Sequence, residues 1–309
     1  MKRVKILELD NLRIRLVTSS RFLLDLISEQ LNFCKPAADH KKTLNISLHL
    51  EEVSSFSDGR SDSFNTDGRH LSLESWLKNI QIDVQPDKNH IAGKIITPAA
   101  LSNEAIFDLL VIHPLRHILK YKNIFLIHAA VLAKNGKGVV VCGLSKSGKS
   151  TLAIKLVENG FKFLSDEFAI FNKGDLFSFP LKIALDTHSL RVFPRLPKLI
   201  KKNYEKNPFD IRKLYPNCYT ENCVPAIIVF LKPSRKHRKA IITPISRENA
   251  FYLLCMDKDN SLPFEKNLSI RQRQIQALAI LAKKTRAYSL SYSLDKIDEA
   301  SKIVGSLLI

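Results

Sequence analysis

Apolar and polar positions recur with a period of two over much of the first third of the chain. The segment "TLNISLHLEE" alternates in this way, which predicts a strand with one buried face, and "IQIDVQPDKNHIAGKIIT" predicts a hairpin. Helical spacing appears in "SRFLLDLISEQL", and again over residues 103–123, where Pro114 should break or kink the helix. The pattern predicts a β-rich N-terminal α+β domain over residues 1–122.

Two segments between these elements read as turn or loop. Asp10 and Asn11 separate the strand-like runs "VKILEL" and "LRIRLV", which predicts a two-residue hairpin turn. Residues 54–70 are rich in Ser, Asp and Gly and favour loop or linker.

A different pattern begins the second region, which we place at residues 123–309. The apolar run at 139–142 predicts a buried strand. A helix should follow the next loop, because Leu152, Leu156 and Val157 share one helical face. Gly160 stands where such a helix commonly ends. Strand, loop and helix in this order indicate an α/β domain.

The Asn-Gly pair at 135–136 predicts a tight hairpin just before that strand. In a two-residue hairpin centred there, paired positions sum to 271, so Val131 faces Val140 and His128 lies beside Gly143. A bulge would move this register by one residue. His128 then has two interpretations, a hydrogen-bonded edge histidine or an acid/base group near phosphate.

The loop between strand and helix has the spacing of a phosphate-binding loop. Its sequence fits G-x-x-x-x-G-K-[ST] at every fixed position. Glycines let backbone N–H groups turn towards phosphate oxygens, and the helix N-terminus adds partial positive charge. The candidate nucleotide-binding residues are Gly143, Leu144, Ser145, Lys146, Ser147, Gly148, Lys149, Ser150 and Thr151.

Side chains in and after this loop suggest phosphate and metal chemistry. Lys149 would reach the β- and γ-phosphates, and the Ser150 hydroxyl would ligate Mg²⁺. Asp166 and Glu167 interrupt the apolar run at 161–171. If the first half of that run pairs beside the phosphate-loop strand, Asp166 emerges near the phosphates. A carboxylate there can hold Mg²⁺ or accept a proton from an attacking hydroxyl. The alternative is an acidic surface turn.

The net charge of +18 favours an acidic or phosphorylated partner. One basic cluster, at 235–239, lies between two strand-like runs and reads as a solvated hairpin loop. A second cluster comprises Arg195, Lys198, Lys201, Lys202 and Lys206. Aromatic residues do not interleave with either cluster, so we expect no nucleic-acid partner.

Cysteine usage and hydropathy indicate a cytoplasmic protein. The five cysteines are scattered, which argues against a disulfide framework. Cys218 and Cys223 have no second Cys or His pair and indicate no zinc site. There is neither a transmembrane run nor the apolar core of a signal peptide.

The stretch from 125 to 171 resembles the kinase domain of HPr kinase/phosphorylase. It is more similar to the shorter HPr-kinase-like proteins found beside genes for ribosomally made peptides such as lasso peptides. Segments 179–185 and 287–300 also look like those relatives, whereas the segment that recognises HPr is not apparent after residue 190. The matching positions are His128, Gly143, Gly148, Lys149, Ser150 and "LSDE" at 164–167. Glu167 stands where the family has a second Asp, and Lys146 where small residues are usual.

The resemblance implies an α/β P-loop kinase domain of the phosphoenolpyruvate-carboxykinase-like type. It further implies ATP- and Mg²⁺-dependent phosphorylation of a serine on a peptide or protein, a lasso-type precursor peptide being one candidate. Asp166 would be the general base, Lys149 would neutralise developing charge, and His128 is the third candidate catalytic residue. Ser150, Asp166 and Glu167 would hold Mg²⁺.

Two other functions remain open, a nucleotide-dependent regulatory or binding module and a small-molecule kinase. The basic region at 195–213 favours an open groove for an acidic or flexible peptide over a closed small-molecule pocket. The acceptor, the use of GTP or pyrophosphate in place of ATP, and a homo-oligomer are also open.

Overall fold

The chain forms two compact units in a computed structural model. The first comprises Met1–Phe125 with Glu265–Arg271, and the second Leu126–Phe264 with Gln272–Ile309. The structure describes residues 2–9, 12–31, 44–53, 64–66, 71–74, 80–96, 102–179, 181–193, 196, 206–233, 239–257, 260 and 267–308. No helix within these ranges is both long and apolar enough to cross a membrane.

The first unit is built on a seven-stranded mixed sheet with the order β1-β2-β3-β7-β6-β5-β4. Its strands are β1 (Arg3–Leu9), β2 (Leu12–Thr18), β3 (Leu44–Val53), β4 (Phe64–Thr66), β5 (Leu71–Glu74), β6 (Ile80–Gln85) and β7 (His90–Ile96). β1 and β2 pair antiparallel, with Leu9 opposite Leu12, and β6 pairs antiparallel with β7. Both predicted hairpins are therefore confirmed, although Asp10 and Asn11 lie outside the described residues.

The alternating pattern of β3 puts Ile46, Leu48 and Leu50 on one buried face. The predicted loop at 54–70 is wrong in part, because Phe64–Thr66 forms β4 by pairing with β5. The rest of that segment lies outside the described residues. This difference arises because a short strand depends on its partner more than on its own composition.

Helices α1 (Arg21–Gln30), α2 (Asn103–Phe107) and α3 (His113–Tyr121) complete the first unit. Ser20 caps α1 by accepting a hydrogen bond from Leu23 N at 3.2 Å. A π-helical turn over Asp108–Ile112 joins α2 to α3 just before Pro114. The predicted irregularity near Pro114 is thus confirmed, since proline has no N–H for a regular helical bond.

The second unit contains a nine-stranded sheet along which the order β11-β9-β10-β16-β13-β12-β8 can be followed. Its strands are β8 (Phe125–His128), β9 (Ala130–Lys134), β10 (Lys137–Cys142), β11 (Lys162–Ser165), β12 (Phe168–Asn172), β13 (Asp175–Phe177), β16 (Asn222–Pro233), β17 (Ile241–Ile245) and β18 (Arg286–Tyr292). β14 (Ile183–Asp186) and β15 (Lys206–Phe209) form a separate antiparallel pair. With its helices, the unit is a mixed α/β structure.

The helices of the second unit begin with α4 (Lys149–Glu158), which packs against β9 and the C-terminal helix α9. The others are α5 (Thr187–Leu190), α6 (Ile211–Leu214), α7 (Arg247–Met256), α8 (Leu268–Lys284) and α9 (Ile297–Ser306). The predicted apolar face of α4 is buried, whereas Glu158 is exposed. Gly160 follows the C-cap with φ +83, as predicted, because glycine adopts this left-handed geometry readily.

The predicted hairpin register around residues 135–136 is confirmed. Val131 pairs with Val140, and the ladder ends at Ala130 with Val141. The pairing therefore does not extend to His128 and Gly143. His128 instead ends β8, which pairs beside β12.

Two strand pairings in this sheet differ from those expected from the sequence. β11 pairs with β9 rather than with the phosphate-loop strand β10, whose other neighbour is the parallel strand β16. β17 pairs with β18, and β18 also pairs with β16. The connection containing 235–239 is therefore not the predicted hairpin loop, because β18 lies between the strands that it joins. Residues 235–238 lie outside the described ranges.

Candidate functional site

The loop from Gly143 to Gly148 joins β10 to α4 and is held by close contacts. A Cβ atom at Gly143 would lie 2.6 Å from Ser147 Oγ and 3.2 Å from Leu231 Cβ, so only glycine fits without a shift. Gly148 has φ +96, and Tyr292 Oη lies 2.9 Å from where its Cβ would be. The loop backbone is thus specified by packing from β16 and β18 as well as by its own glycines.

Lys149 is the first residue of α4, and its ammonium group folds back over the loop. Its Nζ donates to Gly143 O at 2.8 Å and to Leu144 O at 3.4 Å. Only 6% of the residue is exposed. The charge therefore lies at the loop, where a phosphate could exchange with the two carbonyl oxygens as its partner.

Ser150 and Asp166 come together at the start of α4. Ser150 Oγ donates to Asp166 Oδ2 at 2.8 Å, and Asp166 is buried, with 1% exposure. This pairing occurs although β11 is one strand farther from β10 than expected. The register between β11 and β9 shifts between Phe163 and Ser165, just before Asp166.

Glu167 occupies a left-handed backbone conformation, with φ +68. Such a conformation costs a non-glycine residue about 1–2 kcal/mol, so its surroundings must hold it. Its carbonyl accepts a hydrogen bond from Ala129 N at 3.1 Å. Ala129 lies between β8 and β9, so the break between these two strands fixes the turn that carries the acidic pair.

His128 bridges two carboxylates. Its Nδ1 lies 3.0 Å from Asp257 Oδ2, and its Nε2 lies 3.4 Å from Glu167 Oε2. Burial alone would lower the pKa of His128, but the hydrogen bonds to Asp257 and Glu167 outweigh it and raise the pKa to about 9, against a smaller opposing effect of Lys149. The ring is therefore an imidazolium at neutral pH, donating from both nitrogens.

The cleft beside the loop is small and presents groups that can bind an anion. Its volume is about 70 Å³, well below the roughly 300–1,000 Å³ of pockets that enclose whole ligands. Ser147 Oγ is buried there and makes no hydrogen bond with any described atom. The N-cap residue of α4 is Gly148, which has no side chain to occupy the first N–H groups of the helix, so these groups can bind an anion. The lining residues are Ser145, Lys146, Ser147, Gly148, Lys149, Ser150, Thr151, Glu167, Ala184, Leu185, Asp186 and Ser189.

The described residues contain no ready-made metal cage. No cluster of three or more His, Cys, Asp or Glu side chains within the described ranges is arranged to hold an ion. The pair of Ser150 and Asp166 nevertheless offers two oxygens beside the loop. Mg²⁺ commonly binds through one or two protein oxygens plus substrate phosphates, so this pair fits that ion in the presence of a nucleotide.

The structure brings together most of the residues singled out in the sequence. Only Gly143 and Leu144, of the nine loop candidates, are absent from the cleft lining. Asp257 and Asn260 were missed, and His128 contacts both. Asp257 and Asn260 could have been noticed in the sequence as polar residues that follow a helix. Nothing in their spacing links them to His128, which lies more than a hundred positions earlier.

Alanine at position 143 should disable the loop. We expect Gly143→Ala to lose Mg–ATP binding and to destabilise the fold by about 1–3 kcal/mol, because the added methyl overpacks Ser147 and Leu231. The control is Gly160→Ala, where φ is also positive but, beyond the two chain neighbours, no atom of the described residues lies within 4 Å of the new Cβ. Calorimetric titration and thermal unfolding would measure both effects, and equal behaviour of the two variants would contradict the clash.

The His128 bridge should make stability depend on pH. Because its folded pKa is raised, the stabilisation is fully present below the unfolded value of 6.5 and is lost as pH rises through about 9. At 1.36 kcal/mol per pKa unit, the loss is about 3 kcal/mol. Urea unfolding in EDTA should show that the native protein has a higher free energy of unfolding than His128→Asn, and that this difference decreases as the pH rises through this range. A difference in the free energy of unfolding that does not change with pH would contradict the charged bridge.

Comparisons with known proteins do not establish a function for this chain. No family model matches the chain, and no curated protein sequence matches it. The solved structure of the HPr(Ser) kinase/phosphatase from Coxiella burnetii is similar, with 12% identity and a TM-score of 0.33. The match covers 59% of this chain and 87% of that one. A TM-score this low does not establish a common fold.

Proposed function

We propose that the protein is an ATP- and Mg²⁺-dependent phosphotransferase that phosphorylates a serine hydroxyl of a peptide or protein. The observation that carries the proposal is the 2.8 Å bond from Ser150 to the buried carboxylate of Asp166, directly beside the phosphate loop. A hydroxyl and a carboxylate at the start of a phosphate-loop helix are the groups that phosphoryl transfer uses.

Each residue of the site has a role in this proposal. The loop amides and Lys149 hold the phosphates and neutralise charge on them, while Ser150, Asp166 and Glu167 provide oxygens for Mg²⁺. Bound Mg–ATP would supply the phosphoryl group and the metal charge that stabilises its transfer. The loop residues from Ser145 to Thr151 line the cleft together with Glu167.

Asp166 is the better candidate for the general base. A base must accept a proton from the attacking hydroxyl, and a carboxylate can do so. His128 is already protonated at neutral pH, because its pKa is raised to about 9 by its two carboxylate partners after offsetting burial. We therefore assign His128 to positioning and electrostatics.

The acceptor is proposed to be an acidic or flexible peptide. The net charge of +18 supports an acidic partner, which it would steer over several ångströms. A lasso-type precursor peptide remains one candidate of this class. The second basic cluster supports the proposal through its sequence only. Four of its members lie outside the described residues: Arg195, Lys198, Lys201 and Lys202.

Phosphorylation of synthetic peptides would test the function. With ATP and Mg²⁺, an acidic peptide containing one serine should gain a phosphate, and its Ser→Ala counterpart should not. Peptide KM should rise with salt, because the Debye length contracts from about 10 Å at 0.1 M to about 3 Å at 1 M. A rate unaffected by salt, or transfer only to small alcohols, would favour the small-molecule kinase.

A further inference from the structure

Asp257 and Asn260 form a hydrogen-bonded turn after α7, and both reach the site. Asp257 N donates to Leu253 O at the end of the helix, and Asn260 N donates to Asp257 O at 3.0 Å. Asn260 is only 1% exposed. A buried asparagine must satisfy its polar atoms within the protein, so these contacts hold Asn260 in place.

The Asn260 side chain joins this turn to the end of β8. Its Oδ1 accepts from His128 N at 2.8 Å, and its Nδ2 donates to Leu254 O at 2.8 Å. Its main-chain carbonyl accepts from Gln274 Nε2, on α8. Asn260 therefore holds the backbone of His128 against two helices.

Asp257 holds the ring of the same histidine. Both of its carboxylate oxygens lie near His128 Nδ1, at 3.0 and 3.3 Å. The opposite ring nitrogen contacts Glu167, whose side chain is about one-third exposed and faces the cleft. The main chain of Glu167 is tied to Ala129, the next residue after His128. One histidine thus connects the turn after α7 to the carboxylate beside the phosphate loop.

We infer that Asp257 and Asn260 are positioning residues of the phosphate site, acting through His128 to orient the carboxylate of Glu167. The inference rests on the function proposed for that site. Asp257 holds the ring of His128, and Asn260 holds its backbone. These two contacts together determine the direction in which Nε2 points. Partners that orient a ligand-bearing side chain typically change affinity or activity by about 10–100-fold when they are removed.

Amide hydrogen exchange in the nucleotide-free protein tests the connection directly. In Asp257→Asn, we expect the Ala129 amide, which bonds to Glu167 O, to exchange at least about tenfold faster, because His128 is held less firmly and the segment opens more often. A tenfold change corresponds to about 1.4 kcal/mol in the free energy of local opening. The Leu152 amide in α4 should not change. The matched control is Glu248→Gln, which removes a fully exposed carboxylate from the same helix. Unchanged exchange at Ala129, or equal acceleration at Leu152, would overturn the positioning role.

A double-mutant cycle provides a functional measurement. Asp257→Asn should lower kcat by about 10–100-fold and leave the ATP KM within about threefold. In a Glu167→Gln background the same change should have little further effect, because both act through one carboxylate. Additive losses would overturn the inference. A native protein that transfers no phosphate would refute the proposed function alone, since the exchange experiment needs no nucleotide.

Discussion

Asp166→Asn is expected to bind Mg–ATP but to transfer phosphate roughly 10²- to 10⁴-fold more slowly than the native protein. Asparagine has nearly the same shape, and its side-chain oxygen can still accept the hydrogen bond from Ser150. What it lacks is the negative charge and the ability to take up a proton. The loss should therefore appear in kcat, measured in single turnover with saturating nucleotide.

Glu167→Gln is the matched comparison for Asp166→Asn. Glu167 is bound to the His128 ring and partly exposed, so its replacement should lower the rate less and raise the Mg²⁺ requirement. Full activity in Asp166→Asn would refute its role as the base and would transfer that role to Glu167. Loss of nucleotide binding in Asp166→Asn would instead indicate that its main contribution is to hold the metal.

Lys149→Ala is expected to abolish the stabilisation that Mg–ATP gives the native protein. A ligand present at 100 times its Kd stabilises the folded state by about 2.7 kcal/mol, which a thermal shift detects readily. Lys149 is buried at the loop and donates to its carbonyl oxygens, so its removal takes a positive charge from the place where the phosphates would bind. The variant should unfold at the same temperature with and without nucleotide.

Lys155→Ala provides the control on the same helix. Lys155 makes ion pairs with Glu158 at 2.9 Å and with Asp298 at 3.1 Å, away from the loop. Its loss should lower the unfolding temperature slightly while preserving the nucleotide-dependent shift. If the native protein shows no shift with millimolar Mg–ATP, the nucleotide site itself is refuted.

Local pattern was sufficient for several elements near the site. Apolar spacing predicted α4 with its buried face, and an Asn-Gly pair predicted the β9–β10 register to the residue. The glycine at 160 also ends the helix as expected. Such features follow from interactions between residues close in sequence, whose geometry depends little on the rest of the chain.

Neighbours across the sheet could not be predicted in the same way. β10 pairs with β16 and β18 pairs with both β16 and β17, so strands distant in sequence lie side by side. Each of these strands contains apolar residues with similar preferences, and many pairings would satisfy their composition equally well. Close packing in the folded unit selects one of them.

The sequence by itself determined the phosphate-loop spacing, the acidic pair that follows it, and the conformations that their glycines permit. The tertiary structure alone decided that Ser150 meets Asp166 and that Asp257 and Asn260 hold His128. Contacts of this kind join positions that are 16, 129 and 132 residues apart. Sequence pattern carries the chemistry of each group, whereas their distances follow from burying apolar faces together, a property of the whole unit.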